Sequence, residues 1–360
     1  MLGADYIKLP KEYWKEQRFC WYIYDVIASI LKDCEKKERR KINLKFKTEA
    51  ESKAFATRAE NSKTIIDAMY ENGYKDEARR AMGIDIFRAT LSDMCQFICE
   101  SLSAIEKQKI SVSFALLRKP FRDNLLYLEW LLSNPNDFID LVYKQDIDKY
   151  AIEKISKENK IEIIKSAIRQ IKYKKTYLPI IDNKDLYDIR YNYNSTNSLQ
   201  LIWNKANHLV TTHRKTRTDE LNFTFLEEKD YLEYTDYFYS KIPILLFYTY
   251  NVVVELYNKF FRKLSDITIS YNNLYVLNRY LDIVDGEFSK KYLQYIDDDN
   301  KITFCCEECE KFITVDKDSK EYKEFMFNGY FDCPNCKNEI NVCRYIFLEN
   351  YFGEGFEKQI

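Results

Sequence analysis

Two short units, Cys306-Glu-Glu-Cys309 and Cys333-Pro-Asn-Cys336, stand 23 residues apart and are the strongest chemical signal in the chain. A CxxC spacing tightens a turn until both sulfurs can face one point, and two such turns supply the four ligands of a tetrahedral zinc. Four thiolates leave no open position for substrate, so the spacing predicts a structural Zn²⁺ site rather than a catalytic one. A redox pair is the competing use of CxxC. Six of the ten cysteines lie within residues 305–343; Cys305 and Cys343 read as packing residues beside the site. Cys20, Cys34, Cys95 and Cys99 fall in apolar helical stretches, where cysteine usually fills a core.

The second signal is the segment NKANHLVTTHRKTRTDELN, which holds the chain's two histidines, His208 and His213, followed by Arg214, Lys215 and Arg217. Imidazole moves protons near neutral pH and guanidinium clamps phosphate oxygens, so this set suits phosphate chemistry. The same residues also suit a solvated basic turn. Arg118 and Arg122, four apart on an apolar helix, demand an anion, either a protein carboxylate or a ligand phosphate. A further basic cluster, EKKERRKINLKFK at residues 35–47, carries seven Lys/Arg against two Glu and includes Lys36, Arg39, Arg40 and Lys41. No Walker-type loop, GxGxxG, HExxH or GxSxG is present.

The elements that must position these residues are mostly helices. Seven Gly and six Pro in 360 residues leave few turn signals. Helical periodicity predicts helices over 11–34, 49–71, 75–107, 111–132 with Pro120 as a kink or true start, 136–175, 196–210, 228–263 and 270–282. The apolar run Ile242–Val254 is too short for a membrane span and reads as a core helix. After Gly286 the pattern turns strand-like, with a hairpin expected around DDDN and further strands at FITV, FMFNGYF and INVCRYIFL. This divides the chain into a helical bundle over 1–285 and a zinc-ribbon domain over 286–360. The formal net charge of −1 excludes a globally basic nucleic-acid binder while allowing basic patches. With no apolar stretch of signal-peptide type at its start, the chain is expected to be cytoplasmic and free of membrane.

Over about residues 85–262, ISVSFALLRKPFRDNLLYLEWLL, the charged helices after it and IWNKANHLVTTH before a last long helix together resemble bacterial helical proteins of the HEPN type. Several of those are metal-independent ribonucleases of phage-defence or toxin systems. Their motif is an Arg, a polar residue and a His four to six positions after the Arg. Here Asn207 and His208 precede His213 where the Arg-polar pair stands in the family. In related non-nuclease groups an Arg on the central helix is followed by Glu four later; here Arg118 is followed by Arg122, then Asp123. The resemblance implies a multi-helix bundle handling RNA or nucleotides. His208 or His213 would act as base, with Arg118, Arg122 or Arg214 stabilising the transition state. Lys36, Arg39, Arg40, Lys41, Arg214, Lys215 and Arg217 would contact nucleic acid. The rival expectation is a non-catalytic scaffold, with the ribbon docking a protein of a defence system or a nucleic acid. Pairing of the long helices into a homodimer is left open.

Overall fold

The computed structural model of the chain describes residues 8–36, 41–171, 182–211, 228–261 and 301–341, the last with gaps at 307, 317–318 and 322–329, together with Leu221 and a few positions between 263 and 284. Arg39, Arg40, His213, Arg214, Lys215, Arg217 and Cys343 lie outside the described residues, as do the 285/286 boundary and DDDN.

The described chain is mainly helical, with a small β region at its C-terminal end. Helix α1 (Trp14–Cys34) places Phe19, Cys20, Ile23, Val26, Ile27, Ile30 and Cys34 on one buried stripe. The stretch expected as a single helix over 49–71 is two, α2 (Glu49–Asn61) and α3 (Ile65–Glu71). The break has a local cause. Thr48 and Thr64 each cap a helix, accepting from the backbone N–H of Glu51 and Asp67. The pair ends at Asn72-Gly73, with Gly73 at φ +86°. Helix α4 (Lys75–Glu106) follows as one continuous rod of 32 residues.

Helix α5 (Ile110–Arg118) passes into a π-turn (Lys119–Asn124) and then α6 (Leu125–Ser133). Proline cannot donate to the preceding turn and its ring crowds the carbonyl four residues back. Pro120 is accommodated by widening the helix, and Leu125 N–H bonds Pro120 O, five residues back. The stretch 136–175, which the periodicity predicts as helical, forms in its described part α7 (Pro135–Tyr143), α8 (Ile147–Tyr150) and α9 (Lys157–Gln170). Two shorter helices come next, α10 (Asn183–Tyr191) and α11 (Gln200–Asn207). Helix α10 has no counterpart among the helices that the periodicity predicts, and α11 is shorter than the expected 196–210.

The long α12 (Glu228–Phe260) fills the centre. Its residues Ile242, Leu245, Leu246, Phe247, Tyr250, Val252 and Val253 are buried on all sides, which marks a helix enclosed by others. No helix among the described residues is long and apolar enough to cross a membrane. Helix α12 packs against α1, α6 and α4. Close approach to α4 depends on Gly83, where a Cβ would lie 2.8 Å from Phe260 Cζ and closer still to Cε1. Cys20, Cys34 and Cys95 are buried in this core, and Cys99 is half-buried at its edge.

The C-terminal region holds two antiparallel hairpins. Strand β1 (Lys301–Cys305) pairs with β2 (Phe312–Asp316), and β3 (Tyr330–Asp332) with β4 (Glu339–Asn341). In β2 the alternation buries Ile313 and Val315, and Phe331 and Ile340 are buried opposite each other in the second hairpin.

Candidate functional site

Each CxxC unit occupies the turn of one hairpin, and the two turns are built alike. In the first, Cys306 N–H donates to Lys311 O at 3.0 Å and Glu310 N–H to Cys306 O at 2.8 Å. In the second, Cys333 N–H donates to Asn338 O at 2.8 Å and Lys337 N–H to Cys333 O at 2.9 Å. The residue after the second cysteine is left-handed in both, Glu310 at φ 55° and Lys337 at φ 65°. That conformation is costly for a residue with a side chain, and its repetition here reverses the chain while keeping both sulfurs on one side.

The four sulfurs lie within 4.8 Å of one another. Cys306 Sγ is 3.6 Å from Cys336 Sγ, and Cys309 Sγ is 3.7 Å from Cys333 Sγ. These separations are far longer than a disulfide bond of about 2.0 Å. Thiolates about 2.3 Å from a tetrahedral centre sit about 3.8 Å apart, so the donor set and its spacing fit a metal ion. Burial pushes the Cys333 thiol up, but the N–H groups of Cys336 and Asn335 and the neighbouring sulfurs hold it down to about 6. Cys306 and Cys333 are buried while Cys336 reaches solvent.

The helical body brings a second set of charged groups together around the π-turn. Where π spacing returns to α, one carbonyl is passed over and needs another donor. Arg190, fully buried on α10, supplies it: its Nε donates to Phe121 O at 2.6 Å. The same guanidinium meets Glu129 Oε1 at 2.7 Å and donates to Tyr191 Oη at 3.0 Å. Tyr191 Oη in turn donates to Arg122 O. Gln200 at the start of α11 donates its Nε2 to Arg190 O. Glu129 is fully buried, and burial raises its carboxyl against the pull of Arg190.

On the outer side of this network, Arg118 and Arg122 are half-buried. Arg122 Nη1 is 3.3 Å from Asp123 Oδ1, whose carboxyl is raised by burial and lowered by Arg122 and Arg118. Lys160 of α9 joins them. Its ammonium lies 5.5 Å from the centre of the Tyr191 ring and donates to Ile155 O. Burial, and then Arg122, lower the Lys160 pKa, while Asp123 and Glu153 raise it.

His208 caps the C-terminal end of α11 and is exposed. The opposite end of that helix is the one tied to Arg190, and eight residues at 1.5 Å each put about 12 Å between them. Of the expected nucleic-acid contacts, Lys36 and Lys41 are exposed after α1, and Lys36 Nζ is 2.7 Å from Asp33 Oδ1. Arg39, Arg40, His213, Arg214, Lys215 and Arg217 lie outside the described residues. Lys160, Glu129, Arg190 and Tyr191 are not among the site residues that the sequence predicts. Glu129 carried the one available signal, a lone carboxylate inside the apolar run LLYLEWLL. No protein-family model matches this chain, and no curated protein and no solved structure matches it either.

Proposed function

We propose that this chain is an RNA- or nucleotide-handling protein of a bacterial phage-defence or toxin system. In this reading a HEPN-like bundle binds phosphate, and a C-terminal zinc ribbon is held by Cys306, Cys309, Cys333 and Cys336. The carrying observation is the pair Arg118, the last residue of α5, and Arg122, on the π-turn that a buried network holds in place; both are half-exposed. π-Turns inside helices often occur at functional sites. Guanidinium donors on a fixed backbone can meet phosphate oxygens without reorganising, which is how charge developing in a phosphoryl transition state is stabilised. In a ribonuclease of this kind, the base removing the ribose 2′-OH proton would be His213, followed directly by Arg214 and Lys215. His208 sits at the end of α11 away from the arginines' network. Zinc would serve the fold and take no part in the reaction.

The test separates binding from chemistry. Arg118→Gln combined with Arg122→Gln is expected to weaken RNA binding, read by fluorescence anisotropy at several salt concentrations. His213→Ala is expected to abolish cleavage in gel assays while binding and melting temperature hold. Unchanged binding in the double arginine variant would remove this face from consideration.

The second reading is a non-catalytic scaffold whose ribbon docks a protein or nucleic-acid partner. The pairing of Arg122 with Asp123 favours it, since a protein carboxylate already answers one of the two cations. Under this reading the double arginine variant lowers the melting temperature, the wild type cleaves no RNA, and any RNA binding through the ribbon is unchanged in that variant.

A further inference from the structure

The described charges around the π-turn do not balance. Arg190 and Glu129 neutralise each other inside the core. Lys119 of the π-turn is likewise answered, by Asp93 at 2.7 Å. Outside these pairs stand three described cations, Arg118, Arg122 and Lys160, drawn from α5, the π-turn and α9. Two carboxylates face them: Asp123 interacts with Arg122, Arg118 and Glu153, and Lys160 interacts with Arg122, Asp123 and Glu153. Three positive and two negative charges leave one positive charge in a half-buried setting. Taking charge out of water is costly unless it is paired.

Lys160 is also fixed. Its ammonium is held between Ile155 O and the Tyr191 ring, whose hydroxyl bonds the backbone of Arg122. One tyrosine thus ties the ammonium to the backbone of the arginine turn, and Lys160 and Arg122 also feel each other's charge, so an anion meeting Arg122 also meets the field of Lys160.

We infer that Lys160 completes, with Arg118 and Arg122, a site for a single backbone phosphodiester of single-stranded RNA, and that Glu153 tunes its strength. This rests on the reading of the chain as an RNA- or nucleotide-handling protein and chooses between its two ligand classes. A phosphodiester carries one negative charge and cancels the excess. A nucleoside triphosphate carries several and would leave the site strongly negative. The carboxylates are therefore a selectivity device: they weaken the site for polyphosphates more than for a chain of single charges.

The experiment uses the full-length, zinc-loaded chain, a short fluorescently labelled single-stranded RNA, and unlabelled ATP as competitor. Lys160→Gln should reduce the slope of log K against log salt by about 0.7, the value for one phosphate contact on a single strand, which is about fivefold in affinity at 0.1 M salt. Lys160→Arg should restore the slope. Glu153→Gln, at an exposed position, should act in the opposite direction and tighten RNA binding several-fold. ATP should compete poorly against the wild type and better against Glu153→Gln. Melting temperatures of all variants identify any loss that is due to misfolding, and Glu153→Gln remains decisive should Lys160→Gln unfold. A wild type that binds RNA while Lys160→Gln and Glu153→Gln leave slope and affinity unchanged overturns this site and spares the wider reading. A wild type that binds ATP more tightly than RNA overturns the phosphodiester assignment alone. A wild type that binds neither overturns both.

Discussion

At the scale of single residues, the decisive pair is Arg190 and Glu129, two fully buried charges 2.7 Å apart. Such a pair gains little net stability over apolar residues of the same volume, but losing one partner leaves an uncompensated charge. Arg190→Met should therefore cost about 3–5 kcal/mol in urea unfolding. It also removes the donor to Phe121 O. Glu129→Leu added to Arg190→Met should recover part of that loss, because the stranded carboxylate goes too. A double variant less stable than the single one would refute this account. The same residues show how far a sequence can be read. Glu129 sits in LLYLEWLL as a charge with no visible partner, and its partner stands 61 residues later in a polar helix. Nothing local links them.

At the scale of elements, two contacts of α4 lend themselves to direct tests. Gly83 lets α12 approach, and Gly83→Ala drives a methyl into the Phe260 ring. Overpacking of this kind costs about 1–3 kcal/mol, against roughly 1 kcal/mol gained in helix propensity. The net expectation is a lower melting temperature, restored by Phe260→Leu. The second contact joins α4 to α7: Arg79 donates to Asp140 at 2.9 and 2.6 Å, and Tyr70 Oη donates to the same carboxylate at 3.1 Å. Hydrogen bonds from Arg79, and then from Tyr70, outweigh burial and hold the Asp140 carboxyl below its usual range. A depressed folded pKa gives stability that is present above the unfolded value of about 3.9 and is lost as pH falls through the folded one. Asp140→Asn should thus destabilise at pH 7. In thermal melts its deficit relative to wild type should shrink steadily below about pH 4; a deficit constant from pH 7 to pH 2 would refute the linkage.

At the scale of the whole molecule, the described chain joins a bundle with a large apolar core to hairpins with a thin one. Phe331, Ile340, Ile313 and Val315 are the buried apolar side chains described in the hairpins outside the cysteines. So small a core usually needs a staple, and metal binding is then coupled to folding. Purified protein should carry one zinc per chain by elemental analysis. Chelation should release the hairpins to proteolysis while the far-ultraviolet circular dichroism of the helices persists. Loss of helical signal together with the metal would show that the two parts fold as one unit.

The cysteine site was legible in the sequence because it is built from local turns. Two residues between ligands already dictate where both sulfurs point, and only the meeting of the two turns was left to the fold. The helical character of the body was equally legible, since amphipathic spacing acts over a few residues, as α1 shows with Ile23, Val26, Ile27 and Ile30 on one stripe. The break between α2 and α3 was written in Thr64 and Asp67 but competes with continuous helical spacing around it. Tertiary structure alone decided the rest. Pro120 announced a disturbance, yet whether it kinked, started or widened the helix depended on a donor arriving from Arg190 on another helix. The placing of Lys160 over Tyr191, beside Arg122, was likewise decided by packing, because charges on separate helices find each other only after the apolar core has fixed the helices that carry them.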